Sequence, residues 1–101
     1  MKSTAVKEGI LYLLQGDSST FDGVGFTLEE IIGFLELNGL KMKDTIKLKE
    51  LLFEMEKEEL IEERNFDFSG KNLGRIDYSI MDKGIKLVEK KLEELKKAWK
   101  I

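Results

Sequence analysis

The sequence predicts an α+β fold, mostly helical, in one domain of 101 residues. Three observations predict it. A short basic turn joins two segments of helical periodicity, an alternating segment is broken by the turn-forming run SGKNLG, and the chain closes on apolar residues at heptad spacing. A chain of this length can bury most of what one core needs, and its 42% hydrophobic and 37% charged content is globular.

Each element has its own signature. From Ala5 to Gln15, Val6, Ile10, Leu13 and Leu14 recur at helical spacing while Leu11 and Tyr12 fill the flanks, so a first helix is apolar around most of its girth. It is therefore central or shared with a partner. The run GDSSTFDGVGF holds three glycines and reads as a loop in which Phe26 leads into a short strand. Thr27 and Glu30 form a capping-box pattern ahead of Leu28, Ile31, Ile32, Phe34 and Leu35, and Asn38-Gly39 supplies a left-handed stop, which sets a second helix from Thr27 to Leu37. After the turn LKMKD, Leu48, Leu51, Leu52 and Met55 share the face of a third helix that ends near Leu60-Ile61.

Beyond Ile61 the period shortens. Phe66 and Phe68 fall on one side of one run, and Ile76, Tyr78 and Ile80 alternate in the next, the pattern of a β-hairpin. From Asp82 onward, Ile85, Val88, Leu92, Leu95 and Trp99 are spaced by 3, 4, 3 and 4, a heptad seam among lysines and glutamates that predicts a long final helix. Helix, helix, helix, hairpin, helix is the order of a winged helix-turn-helix with a two-stranded wing and a long C-terminal helix. Residues 1–81 form the winged-helix domain and residues 82–101 a C-terminal dimerisation helix continuous with it.

The chain has no cysteine and no histidine, which removes disulfides, the commonest metal ligands, the thiol nucleophile and the usual general base. The hydroxyls and carboxylates of the first loop, Asp17, Ser18, Ser19 and Asp22, make no nucleophile, base and orienting group by spacing, so no enzyme and no cofactor is expected. No apolar run is long enough to span a bilayer and the N-terminus MKSTAVKEG lacks a secretory core, so a cytoplasmic protein is expected.

Net charge is −3, but its distribution is uneven: −4 over residues 1–40, +3 over 41–49, −6 over 50–63 and +4 over 64–101. Lys41, Lys43, Lys47 and Lys49 occupy the turn and first half of the third helix, and Glu54, Glu56, Glu58 and Glu59 its second half. That order opposes the helix dipole, which prefers acid first and base last, so an anionic ligand near Lys43 and Lys47 is one reason for it. Fifteen of the seventeen basic residues are lysine, and both arginines, Arg64 and Arg75, fall in the hairpin segment. Arginine suits a narrow groove or a two-pronged grip on a phosphate. The competing use is cross-strand pairing with Glu62, Glu63 or Asp77, worth about 0.2–1 kcal/mol per exposed pair.

Glu59-Leu60-Ile61, the RN and GR pairs around the hairpin turn, and Tyr78-Ser79-Ile80-Met81-Asp82-Lys83-Gly84 resemble the end of the third helix, the wing and the last-helix entry of PadR-like and MarR-like regulators. The likeness covers about the second half of the chain. Two positions depart from that pattern: Glu59 stands where it has glycine and Met81 where it has threonine. The resemblance implies a homodimeric regulator that binds double-stranded DNA, with the third helix in the major groove and the wing on the minor groove or phosphates. Its DNA contacts would be Lys41, Lys43, Lys47, Lys49 and Arg64, with Lys71 and Arg75 at the wing tip. Its dimer interface would combine Ile10 and Leu11 with the seam Ile85, Val88, Leu92, Leu95 and Trp99; the alternative is that the seam packs on its own domain. No effector site for a small molecule is named by the sequence.

One feature of the third helix favours another use. If Leu48, Leu51, Leu52 and Met55 face the core, Ile46 and Phe53 point nearly the opposite way. Together with the acidic pI of about 5.1, they suit a winged-helix module that contacts another protein without DNA.

Overall fold

The computed structural model describes residues 3–17, 25–41, 44–66 and 75–100. They form α1 (Ser3–Asp17), α2 (Leu28–Leu37), α3 (Thr45–Lys57), β1 (Ile61–Phe66), β2 (Arg75–Ile80) and α4 (Asp82–Ala98). The fold is α+β and mostly helical, with a two-stranded antiparallel sheet and a C-terminal helix. No helix among the described residues is long and apolar enough to cross a membrane.

α1 runs through the middle of the core. Its Ile10, Leu11 and Leu14 are buried together with Ile31 and Leu35 of α2, Leu48, Leu52 and Met55 of α3, Ile61 of β1 and Val88 of α4. An apolar girth therefore reflects a helix covered from several sides by its own chain.

α2 begins as its sequence requires, with the Thr27 hydroxyl accepting from the Glu30 N–H and the Glu30 carboxylate accepting from the Thr27 N–H at 3.0 Å. It ends at Gly39, whose φ is 85°; the Gly39 N–H donates to the Glu36 carbonyl and the Leu40 N–H to the Leu35 carbonyl. α3 closes with the same hydrogen bonds, Glu59 N–H to the Glu56 carbonyl and Leu60 N–H to the Met55 carbonyl, both 3.0 Å. The helix thus stops at Lys57, earlier than the expected end near Leu60-Ile61, because Leu60 turns back onto it and Ile61 already belongs to β1.

In α3 the left-handed position is taken by Glu59, at a φ of 63°. This is where the resembled pattern has glycine. Met81, where that pattern has threonine, is the N-cap of α4, with extended backbone and no side-chain cap. Both departures therefore replace the residue that the local backbone favours. Left-handed backbone costs a non-glycine residue roughly 1–2 kcal/mol, and a missing N-cap oxygen about 1 kcal/mol. Glu59→Gly and Met81→Thr are each expected to raise stability by about 1 kcal/mol in urea unfolding; a loss of stability in either variant contradicts this account of the two turns.

β1 and β2 pair from Ile61 with Ile80 to Phe66 with Arg75. The N–H and C=O of Tyr78 turn away from β1 and pair instead with Phe26, at 2.8 and 3.1 Å, so the expected short strand at Phe26 is a single bridge on the other edge of β2. Alternation misassigns two residues of β2. Ile76 is 47% exposed, while Asp77 between the apolar positions is fully buried. Asp77 accepts from the Gly25 N–H at 3.2 Å and from Nε of Arg64, its cross-strand partner, at 3.1 Å.

α4 returns along α1, where Lys91 pairs with Glu8. The heptad seam is covered by its own chain, which corrects its assignment as a dimer interface: Val88, Leu95 and Trp99, with Ile10 and Leu11 of α1, are buried in one chain, and Ile85 and Leu92 are half-buried. Trp99 does not project beyond the body. Its ring stacks on Phe34 with centroids 5.5 Å apart, and it lies so close over Gly9 that a Cβ there would sit 2.4 Å from the indole. Asn38, at the end of α2, holds the backbone that follows: its Oδ1 accepts from the Lys100 N–H at 2.7 Å and its Nδ2 donates to the Lys100 carbonyl at 2.8 Å.

Candidate functional site

α3 presents an outward face from end to end. Ile46 is 67% and Phe53 56% exposed, as their positions opposite Leu48 and Leu52 require. Thr45, Lys47, Lys49 and Glu50 are exposed as well, and Lys41 is exposed just before the turn. Asp44 caps the helix, its Oδ1 accepting from the N–H groups of Ile46 at 3.0 Å and Lys47 at 3.3 Å. The first turn therefore has the anionic partner that its dipole favours.

The acidic residues at the C-terminal end of α3 and in the turn that follows have internal partners. Lys7 of α1 pairs with Glu58 at 3.0 Å and Glu54 at 3.4 Å, Lys83 of α4 pairs with Glu59 at 3.2 Å, and Glu56 accepts from the Glu63 N–H at 3.0 Å. The hydrogen bond to Glu58 is the foremost reason that the Lys7 ammonium is held above its ordinary value. The lysine end differs. Among the described residues, no ion pair engages Lys41, Lys47 or Lys49. The separation of sign along α3 thus has an internal cause at its acidic end and none of that kind at its basic end.

Arg64 is drawn inward to Asp77, the cross-strand pairing that competed with DNA contact, and it is not part of an exposed basic surface. Arg75 stands opposite Phe66 in the last pair of the ladder, far from the Ile61 end that adjoins α3. Lys43 and Lys71 lie outside the described residues, and of Arg75 only the backbone is described.

A groove of about 630 Å³ separates the N-terminus of α2, α3 and the hairpin. Leu28 and the buried Tyr78 form its deeper part, and the exposed Phe53 and Ile76 its rim. Among the described residues, Glu29, Glu56, Glu63 and Lys49 are its charged lining. Burial, and then the charges of Glu63 and Glu56, push the Tyr78 phenol above its ordinary value of about 10. The Lys57 ammonium lies 4.6 Å from the centre of the Phe53 ring, a cation–π contact at the end of the outward face. Sequence reasoning found Phe53 by helical phase but missed this groove, because Glu29, Phe53, Glu63 and Ile76 come from four separate elements.

Comparison with protein-family models, with curated proteins and with solved structures finds no match for this chain.

Proposed function

We propose that this chain is a winged-helix protein that binds double-stranded DNA through the N-terminal half of α3, and that it acts as a homodimeric transcriptional regulator. The observation that carries the reading is the end of α3 that bears Lys47 and Lys49: exposed and basic, with neither ammonium in an ion pair among the described residues. The order of elements and the Phe26 bridge beside the hairpin support it. So do the two departures from the regulator pattern, which fall on a left-handed turn and an N-cap where glycine and threonine have physical uses.

The groove limits where a duplex can lie. Glu29, Glu56 and Glu63 repel phosphates between α3 and the base of the hairpin, so contact is confined to the stretch from Thr45 to Lys49 and to the end of the strand ladder at Arg75. The homodimer in this reading pairs through surface other than the buried seam.

Lys47 and Lys49 are expected to act on phosphates, each releasing about one counterion on binding. The double variant Lys47→Ala/Lys49→Ala is expected to weaken binding to duplex DNA at all sequences and to reduce the slope of log K against log salt by about 2. Fluorescence anisotropy over a salt series measures both, and an unchanged slope contradicts the reading.

A second reading, docking of a protein without DNA, is favoured by one observation: Phe53 and Ile76 rim an acidic groove rather than packing in the core.

A further inference from the structure

We propose that the groove between α3 and the hairpin docks a cationic, apolar segment of a partner protein, a short run in which lysine or arginine stands beside leucine or an aromatic residue. The inference rests on the second reading above for its surface and adds the chemistry of the partner. Three features of the groove select that chemistry.

The first is shape and polarity. A half-open groove with Leu28 and Tyr78 beneath and Phe53 and Ile76 at the rim offers apolar surface that water covers at a cost. Its volume of about 630 Å³ accepts a few side chains. The second is charge. Among the described lining residues, Glu29, Glu56 and Glu63 set three carboxylates against the ammonium of Lys49, with that of Lys57 at the Phe53 rim, and no ion pair holds Glu29 or Glu63. A cation entering the groove relieves their mutual repulsion, whereas a phosphate backbone or an anionic lipid surface increases it. The third is the Phe53 ring, whose face already holds the Lys57 ammonium and so stands in an orientation that accepts cations.

The occupant must satisfy both demands at once. A purely basic segment leaves Phe53 and Ile76 in water, and a purely apolar one leaves the carboxylates uncompensated.

Short fluorescein-labelled peptides of alternating Lys-Leu, Lys-Ser and Glu-Leu test this by anisotropy against the full chain. The Lys-Leu peptide is expected to bind at least about ten-fold more tightly than either control. Glu29→Lys/Glu63→Lys and, separately, Phe53→Ser are each expected to weaken it by about ten-fold or more while circular dichroism stays unchanged. All three replaced positions are surface positions, so folding is retained. Equal binding of the Lys-Ser peptide, or Lys-Leu binding indifferent to Phe53→Ser, overturns the proposal. A duplex titration of the same proteins separates the two readings: peptide binding without duplex binding upholds the groove and removes the DNA reading, and duplex binding without peptide binding does the reverse.

Discussion

Replacing Trp99 by alanine is expected to cost about 3–5 kcal/mol of stability. A domain of this size has only about 5–15 kcal/mol to lose. The indole is buried against Phe34 and over Gly9, and the clamp between Asn38 and Lys100 fixes the backbone beside it. Truncation opens a cavity between α1, α2 and the end of α4 that neighbouring helices cannot close without breaking that clamp. Urea unfolding followed by circular dichroism measures the loss. The same experiment distinguishes a seam within one chain from a seam between two. If α4 packs on its own α1, the loss is independent of protein concentration; if Trp99 instead joined two chains, the midpoint of the wild type would rise steeply with concentration and the variant would abolish that dependence.

Arg64→Ala is expected to cost about 3 kcal/mol, because it removes the guanidinium that pairs with the fully buried Asp77 carboxylate. This figure is at the lower end for a broken buried pair, since the arginine side chain keeps 26% of its exposure and is partly screened. Adding Asp77→Asn removes the buried charge, keeps an acceptor for the Gly25 N–H, and is expected to recover part of the loss. A cost below about 1 kcal/mol for Arg64→Ala means that the pair is no more than a surface salt bridge, and the arginine then returns to the pool of side chains available to a ligand.

These expectations also show what the chain alone could convey. Periodicity located all four helices among the described residues, and local chemistry fixed the capping box at Thr27 and the glycine stop at Gly39, since both depend on residues a few positions apart. Periodicity identifies the face that is buried but not the surface that buries it. Hence the seam of α4 read as a contact between chains, although α1 and Phe34 of α2 cover it. The same limit hid the internal use of the α3 carboxylates, whose partner Lys7 is about fifty residues away in sequence. In β2, alternation placed Asp77 on an exposed face, and the return of the chain at Gly25 and the opposite position of Arg64 supply partners for a buried carboxylate that lie far from it in sequence. Glu59 misled in another way: a glutamate carries no turn signal, so α3 seemed to continue through a position that is left-handed.

The lysines at the start of α3 were legible as a group, and their lack of internal partners among the described residues is what the fold adds. The most direct test of their role is a titration of the ¹⁵N-labelled protein with a short duplex at low salt, followed by amide chemical shifts. The account predicts the largest changes from Thr45 to Lys49, with Glu29, Glu56 and Glu63 left near their free positions. Changes concentrated on those three glutamates, or none at α3 as duplex is added, contradict it.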